Sequence, residues 1–413
     1  MAPIMQRLTS FLTFSFFLFT SSLLLLASCS SAPSGTPDLL VTPAATSTPT
    51  VMPCTVLHVP GTPQALGAEF GDRGHVAGPA GAPVTIVVFS DYQCPACAYL
   101  AASLKKIRTD HPNDVRLIYL NTPLAERDKD ALAVQAAEAA DLQGKFWEMN
   151  DLLFEKQAEW SALAPGEFAT WAAQQAAGLG MDAARFQADF QGEVVAERLQ
   201  RAVQSSGNPS ISPPVLFVNS TSPYRGLADF ASLDAVVRLE ALTARQFSAC
   251  PPWGIDPLRQ YLATLHTAKG DAVVQLYPDK APLAVNNFVF LARQGWYEGV
   301  TFYRVLPNLL AATGDPSETG MGNPGYLFET EIPAGLRFDQ PGMLAMDNSG
   351  PNTNGSRFFI TLGSTAQWNG QYTVFGRVLS GLEVLSALTA RDPQPGVFLP
   401  PGDELLRVTI EER

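Results

Sequence analysis

Residues 84–97 read Val-Thr-Ile-Val-Val-Phe-Ser-Asp-Tyr-Gln-Cys-Pro-Ala-Cys and join a β-branched run to a pair of cysteines. The run 84–89 is typical of a buried strand, and residues 98–108 favour a helix. Cys94 therefore lies at a strand-to-helix junction, where unpaired backbone amides and the helix dipole stabilise a thiolate. Cys97, one turn deeper, is placed to resolve a mixed disulfide.

A structural disulfide or half of a zinc site is the alternative interpretation of Cys94 and Cys97. The chain has no second C-x-x-C motif and only four histidines, which argues against tetrahedral zinc. Two cysteines three positions apart also form a strained bridge that suits exchange better than stapling. We therefore predict an active-site disulfide with a redox role, and no metal or other cofactor.

The chain after this motif predicts an α/β domain with a large helical insertion. A second strand at 115–120 is expected to pair beside the first. Helices are then predicted at 128–142, 146–155, 166–178 and 182–205, separated by glycines and a proline.

The insertion ends at Ile211-Ser212-Pro213-Pro214-Val215-Leu216-Phe217-Val218-Asn219. With the C-x-x-C motif and the Gly144-Lys145-Phe146-Trp147 helix start, this signature makes residues 54–250 resemble the DsbA-like branch of the thioredoxin superfamily. The resemblance implies thiol-disulfide oxidoreductase activity and a cis proline that faces the active-site disulfide, at Pro214. Pro213 departs from the family because it has no N–H to offer a substrate, so substrate pairing there is altered.

Cys54 and Cys250 bracket this segment. Their pairing would close a loop of nearly 200 residues and stabilise the domain by about 3 to 5 kcal/mol. We predict a structural disulfide. Two free thiols or a second exchange pair is the alternative.

The C-terminal segment predicts a mainly-β barrel capped by helices, after a linker at 251–260. Strands are expected at 261–267 and 271–277 and a helix at 282–294. Four motifs follow: Val300-Thr301-Phe302-Tyr303-Arg304-Val305, Gly314-Asp315-Pro316, Gly350-Pro351-Asn352-Thr353-Asn354-Gly355-Ser356-Arg357-Phe358-Phe359 and Thr373-Val374-Phe375-Gly376. Through them residues 261–413 resemble the cyclophilin-type peptidyl-prolyl cis-trans isomerases.

The resemblance assigns roles to individual residues. Arg304 matches the catalytic arginine, Phe359 a pocket aromatic, and Asn348 a residue whose backbone holds the substrate. Other positions depart from the family. These are Leu309 and Leu310 in the pocket floor, Ala312 and Arg357 where glutamines bind substrate, Gln367 where tryptophan is common, and Tyr372 where histidine is common.

The departures leave two readings of the C-terminal domain. Leu309 and Leu310 keep the floor apolar, and Arg357 can offer a donor to a substrate carbonyl, which favours a weakened isomerase. The alternative is a cyclophilin-fold module that binds peptides without catalysis, since Ala312 cannot make the hydrogen bond of the lost glutamine.

Residues 1–29 resemble a bacterial lipoprotein signal. One basic residue, a long apolar run and Leu26-Ala27-Ser28 lead into Cys29, which would carry the lipid. Residues 30–53 are rich in Ser, Thr and Pro and predict an extended tether. An uncleaved signal anchor is the alternative. Both place the body on the extracytoplasmic side of the cell membrane.

The whole sequence therefore predicts a multi-domain, membrane-tethered folding factor. Disulfide exchange and proline isomerisation are both slow steps of folding, so the expected partners are unfolded or partly folded exported polypeptides and a redox partner protein. With 27 basic against 39 acidic side chains, the net charge of -12 argues against nucleic acid.

Overall fold

The elements of secondary structure can be given for most of the chain. The computed structural model describes residues 51–57, 70–206, 212–220, 222–394 and 397–413. In these ranges the strands are β1 Thr55–Val56, β2 His75–Ala77, β3 Val84–Ser90, β4 Val115–Asn121, β5 Val215–Val218, β6 Tyr261–Thr267, β7 Gly270–Leu276, β8 Val300–Thr301, β9 Arg304–Leu306, β10 Leu310–Thr313, β11 Tyr326–Leu327, β12 Met343–Met346, β13 Phe358–Thr361, β14 Val374–Ser380 and β15 Glu404–Glu412. The helices are α1 Pro95–Asp110, α2 Asp130–Asp141, α3 Phe146–Glu155, α4 Gln157–Ser161, α5 Pro165–Gly178, α6 Ala183–Phe190, α7 Glu193–Ser206, α8 Phe230–Leu242, α9 Pro282–Arg293 and α10 Leu382–Ser386.

The β-branched run before the cysteines forms a central strand of a four-stranded mixed sheet. The strand order is β2-β4-β3-β5, with β3 parallel to β4 and antiparallel to β5. Val84, Ile86 and Val88 face the core that the helices share, whereas Val87 and Phe89 belong to a smaller apolar cluster. Alternate side chains point to opposite faces of a strand, so a strand buried on both sides has to be apolar almost throughout.

Helix α1 starts earlier than the sequence predicted, at Pro95 rather than at residue 98. Proline fits the first helical position because its fixed φ suits a helix and its missing N–H would be unpaired there anyway. Cys94 is the N-cap residue, with extended backbone angles. The C-x-x-C motif therefore spans the first turn of the helix.

The long helix predicted at 182–205 is divided into α6 and α7 at Gln191–Gly192. The Gly192 N–H donates to Asp189 O in the turn that ends α6, and glycine weakens a continuous helix. Sequence analysis also missed α8. Its N-cap signal is Asp229, whose side chain accepts from Ser232 N.

The C-terminal domain is built on a nine-stranded antiparallel sheet with the order β8-β15-β6-β7-β14-β12-β13-β10-β9. The predicted hairpin joins β6 to β7, which pair from Tyr261 opposite Leu276 to Thr267 opposite Gly270. Helix α9 buries Val285 and Phe288 in the core of this domain. The result is a mainly-β half-barrel with helices packed against it.

Residues before the first domain, at its last helix and after it pack into the core of the second. Met52, Leu242 and Ile255 are buried there, and the ring of Phe247 packs against it. Phe247 lies with its ring centroid 5.1 Å from Phe290, and its N–H donates to Pro324 O at 2.8 Å. The first and second domains thus share a junction of apolar side chains.

The predicted domain limits of 54–250, 251–260 and 261–413 stay predictions, and residues near them meet at this junction. β1 pairs with β11 of the second domain, and the disulfide between Cys54 and Cys250 lies at this junction. The predicted linker is held by Asn286, which accepts from Gly254 N and donates to Pro252 O. The linker also packs on the second domain through Ile255, which is buried in the core of that domain.

The predicted signal at 1–29, with Cys29, and the tether at 30–53 lie outside the described residues, except for residues 51–53. In the part of the chain that is described, no helix combines the length and the apolar character needed to cross a membrane.

Candidate functional sites

The two cysteines of the motif lie together at the N-terminus of α1. Both are free cysteines in this structure, and the disulfide between them stays a prediction. Cys94 Sγ accepts a hydrogen bond from Cys97 N at 3.2 Å and lies 3.8 Å from Pro213 O. The peptide bond between Pro213 and Pro214 is cis. The structure therefore brings the C-x-x-C motif and the predicted proline segment into contact.

The two thiols differ in their surroundings. Cys94 is 5% exposed and Cys97 is fully buried. Burial, and to a smaller extent the neighbouring Cys94, raises the pKa of the Cys97 thiol far above its ordinary value. A thiol that resists ionisation is a poor nucleophile, so Cys94 is the better attacking group of the pair.

A buried polar cluster beside the motif was not found from the sequence. Asp91 Oδ1 accepts from Arg127 Nη1 at 2.6 Å and from Gln93 N at 2.8 Å. Asp130 Oδ1 accepts from the same Gln93 N–H at 3.0 Å. Burial and the adjacent Asp91 raise the pKa of Asp130 to about 8.

The same cluster places the Arg127 guanidinium near Cys94. Burial opposes the charge of Arg127, but Asp91, Asp130 and Cys94 raise its pKa above the ordinary value. Asp91 precedes the motif by three positions and its burial follows from the strand pattern. Arg127 and Asp130 lie in and after the loop that follows β4, and no local signal in the sequence connects them to Cys94.

The predicted isomerase residues are aligned by strand register. Arg304 on β9 is opposite Ala312 on β10, and Ala312 is in turn opposite Phe359 on β13. Phe359 is opposite Ala345 on β12. These four residues therefore form one row across four strands. Small side chains at Ala312 and Ala345 flank the ring of Phe359.

Phe359 lies under a group of aromatic side chains and is only 3% exposed. Its ring centroid is 5.4 Å from that of Trp368, 5.3 Å from that of Tyr372 and 5.9 Å from that of Phe338. Leu309 and Leu310 belong to the same apolar cluster. Gln367 stands where tryptophan is common in the family. Trp368, one residue on, packs against Phe359, and this contact was not expected from the sequence.

Arg304 lies at the edge of this cluster and is half exposed. Its Nε donates to Asp392 Oδ1 at 3.0 Å, and both side chains remain open to solvent. An ion pair in such a setting contributes about 0 to 1 kcal/mol. A substrate carbonyl or amide can therefore compete with Asp392 for the guanidinium at little cost.

Arg357 and Asn348 are held by the protein itself. Arg357 donates to Gly320 O and to Ser349 Oγ, and its Nη1 lies 3.8 Å from Asp347 Oδ2. Asn348 donates through Nδ2 to Asn354 Oδ1 at 3.0 Å. Arg357 is thus fixed along the side of the site by two hydrogen bonds and one carboxylate.

A separate charged cluster lies beneath a cavity of about 520 Å³ in the first domain. His75 Nε2 is 2.9 Å from Glu138 Oε1, and His75 Nδ1 is 3.5 Å from Asp141 Oδ1. Among the described residues these three are the one group with metal-ligand geometry. Arg198 Nη1 also contacts both carboxylates, at 3.0 and 2.6 Å. Arg198 and a protonated His75 face these two carboxylates, so we interpret the cluster as an ion-pair network.

Comparisons with known proteins divide the chain in the same way. The family model "Cyclophilin type peptidyl-prolyl cis-trans isomerase/CLD" matches residues 262–404, and a family model for thioredoxin matches residues 71–223. The peptidyl-prolyl cis-trans isomerase-like 1 of Aspergillus fumigatus is 47% identical over 125 residues, which cover 30% of this chain and 78% of the relative. The chain belongs to the cyclophilin-type peptidyl-prolyl cis-trans isomerase family, and it carries a thioredoxin-like domain before the cyclophilin domain.

Two further similarities concern the cyclophilin domain. The mouse peptidylprolyl isomerase domain and WD repeat-containing protein 1 is 40% identical over 153 residues, which are 36% of this chain and 24% of that protein. A crystal structure of a Cryptosporidium parvum cyclophilin type peptidyl-prolyl cis-trans isomerase is 30% identical, with a TM-score of 0.34. The match covers 37% of this chain and 98% of that one. The predicted combination of a thioredoxin-like and a cyclophilin domain is confirmed at the level of fold class.

The charged cluster predicts a pH-dependent stability. Burial works against a charge on His75, but hydrogen bonds to Asp141 and Glu138 outweigh it and raise its pKa above 6.5. A raised pKa gives stabilisation that is complete below pH 6.5 and is lost as the pH rises through the folded-state value. Hydrogen bonds from His75 also lower the pKa of Asp141 to about 2, so its contribution is lost only as the pH falls from 3.8 towards that value.

We therefore expect the free energy of unfolding to fall between pH 6 and pH 9, and His75→Gln to reduce this fall while leaving the part that the raised pKa of Asp130 contributes. Urea titrations of both proteins at pH 6 and pH 9 measure the free energy of unfolding. An unchanged slope in His75→Gln would contradict the assignment. A rise in Tm on adding Zn²⁺ to the wild type that is absent in His75→Gln would assign the cluster to a metal instead.

Proposed function

We propose that this protein is a folding factor that combines thiol-disulfide exchange with prolyl cis-trans isomerisation. The observation that carries the proposal is that one compact unit holds both sites. One site is a dithiol at a helix N-terminus beside Pro213 and Pro214. The other is Arg304 in register with an aromatic pocket residue, Phe359. Both reactions act on incompletely folded chains, which supports unfolded or partly folded exported polypeptides as partners.

In the redox site Cys94 acts as the nucleophile. Its thiolate attacks one sulfur of a client disulfide and forms a mixed disulfide, while the second client sulfur leaves as a thiolate. Cys97 then attacks the Cys94 sulfur, and the client is released with two reduced sulfurs as Cys94 and Cys97 become a disulfide. The reverse sequence oxidises a client dithiol. A redox partner protein restores the starting state.

Several polar groups surround the Cys94 sulfur. The Cys97 N–H already points at the sulfur, and the helix N-terminus and Arg127 add positive potential. Gln157 fixes the backbone by donating to Cys94 O at 3.0 Å. The carbonyl of Pro213 is the neighbouring acceptor, and the missing N–H of Pro213 leaves no backbone donor at that residue. These contacts support a DsbA-like reaction with altered substrate pairing.

In the cyclophilin domain Arg304 is the catalytic residue. Rotation about an Xaa-Pro bond crosses a barrier of about 18 to 20 kcal/mol because amide resonance is lost. A guanidinium donor that meets the pyramidal prolyl nitrogen stabilises the twisted state. The rings around Phe359 and the side chains of Leu309 and Leu310 supply an apolar surface for proline, and Asn348 aligns the peptide. Arg357 lies beside this surface, where its hydrogen bonds to Gly320 and Ser349 hold it.

A second candidate function is peptide binding without catalysis. The observation that favours it is the burial of Phe359 beneath Trp368 and Tyr372, which leaves little of this ring for a prolyl side chain. The redox site would then perform all of the chemistry.

We further propose that the protein is lipid-anchored through Cys29 on the extracytoplasmic side of the cell membrane. The apolar run that ends in Leu26-Ala27-Ser28-Cys29 supports this, and so does the Ser/Thr/Pro-rich tether. The disulfide between Cys54 and Cys250 is of the kind that persists in oxidising compartments.

The redox assignment predicts different behaviour for the two cysteine variants. Cys97→Ser should accumulate mixed disulfides with a model client that contains disulfide bonds. Cys94 attacks a client disulfide, and no second thiol resolves the product. Cys94→Ser should accumulate few, because the remaining thiol is buried and resists ionisation. Nonreducing electrophoresis with mass spectrometry measures both. Equal trapping by the two variants would contradict the assignment.

The isomerase assignment predicts that Arg304→Ala lowers the rate of isomerisation by about 10²-fold or more, the effect of removing one transition-state donor. Exchange spectroscopy by NMR on an Ala-Pro peptide measures the rate without a coupled protease. Asp392→Ala is the matched control, because it frees Arg304 and should retain activity. A wild-type rate equal to that of buffer would assign the domain to peptide binding.

The anchor predicts that Cys29→Ala blocks incorporation of a labelled lipid precursor when the full chain is expressed in bacteria. The variant should also leave the membrane fraction if the signal is cleaved by another route. Labelling that is unchanged in Cys29→Ala would overturn the lipidation proposal.

A further inference from the structure

A groove of about 490 Å³ runs between α8 of the thioredoxin-like domain and two loops of the cyclophilin domain. The loops are residues 317–321 and the described part of 391–399. We call this feature the interdomain groove. Its volume lies in the range of pockets that hold small ligands or short peptide segments.

The walls of the groove carry an unusual share of exposed apolar side chains. Leu227, Met321, Val397 and Phe398 line it and are between 45% and 67% exposed. Single exposed apolar residues are common on soluble proteins, but several around one concave surface mark a binding site. The groove is therefore suited to an apolar partner.

The charged side chains of the groove are satisfied within the protein. Arg238 donates to Asp234 Oδ2 at 2.8 Å and to Glu318 Oε2 at 2.9 Å. Asp234 also contacts His111 Nε2 at 2.7 Å. Arg391 donates to the carbonyls of Tyr303 and Pro400. Because each charge is already paired or hydrogen-bonded, the groove complements a neutral ligand rather than a charged one.

The groove adjoins residues that contact the proposed isomerase site. Asp392, which holds Arg304, lies between two groove residues, Arg391 and Pro393. On the other wall Gly320, whose carbonyl accepts from Arg357, lies between Thr319 and Met321. One extended residue spans about 3.3 to 3.6 Å, so a few residues lead from a prolyl bond at Arg304 into the groove.

We propose that the interdomain groove binds an apolar, extended segment of the same client polypeptide whose Xaa-Pro bond lies at Arg304. This deepens the proposed isomerase function and rests on it. The occupant is an unfolded chain because such chains expose apolar segments next to their prolines. The thioredoxin-like domain thereby supplies one wall of a binding site that the cyclophilin domain would not have alone.

The test uses fluorescein-labelled peptides with a common Ala-Ala-Pro-Ala core and the compact unit Pro49–Arg413, which keeps Met52 in the second core. One peptide is the core alone, two carry a Leu-Val-Phe-Leu extension before or after the core, and two carry Ser-Gly-Ser-Gly instead. Fluorescence anisotropy gives Kd, and NMR exchange gives the isomerisation rate. We expect one apolar extension to lower Kd at least tenfold against its polar counterpart. The double variant Met321→Ser/Val397→Ser should remove this preference, whereas Leu258→Ser, a fully exposed control, should retain it.

The outcomes separate this proposal from the isomerase function. Equal Kd values for apolar and polar extensions in the wild type would overturn the groove proposal, even if the core peptide is isomerised. A preference that survives in the double variant would overturn it as well. An apolar preference without isomerisation would sustain the groove and refute the isomerase. Sedimentation velocity showing a wild-type dimer that the double variant abolishes, with peptide Kd unchanged, would make a second copy of the chain the occupant.

Discussion

The contact of Phe247 with the aromatic core of the second domain fixes how the two halves of this protein meet. The ring lies 5.1 to 6.4 Å, between centroids, from Phe290, Trp296 and Tyr326. Leu242, the last residue of α8, is buried in the same core. Helix α8 packs on α1, whose first turn carries the cysteines. The orientation of α1 therefore depends on side chains anchored in the cyclophilin domain.

Both proposed sites gain their chemistry from burial that differs between neighbouring groups. Cys97 is desolvated and resists ionisation, whereas Cys94 caps a helix and accepts a backbone hydrogen bond. In the cyclophilin domain Phe359 is covered by rings, while Arg304 stays open beside a weakly held carboxylate. In each case one group is held rigidly and the adjacent one is left able to react.

Much of this could be predicted from the sequence because local patterns carried it. The strand before Cys94, the hairpin of β6 and β7 and the helix α9 follow from periodicity and from glycine or proline signals. Trp368, Arg127 and the Arg238 bridge could not be predicted, because their partners are brought together only by the tertiary fold. The helix break at Gly192 was missed for a related reason. Helix propensity marks the ends of an element only weakly when a neighbouring core can bury the residues there.

The central claim is that Phe247 joins the two domains into one cooperative unit, and hydrogen exchange along a urea titration tests it most directly. In the wild type, β3 of the first sheet and β7 of the second should lose protection over the same range of urea. Phe247→Ala should move the loss in β7 to lower urea by about 1 to 3 kcal/mol of unfolding free energy, less than for a fully buried ring. Separate transitions in the wild type, with no change in Phe247→Ala, would contradict the account.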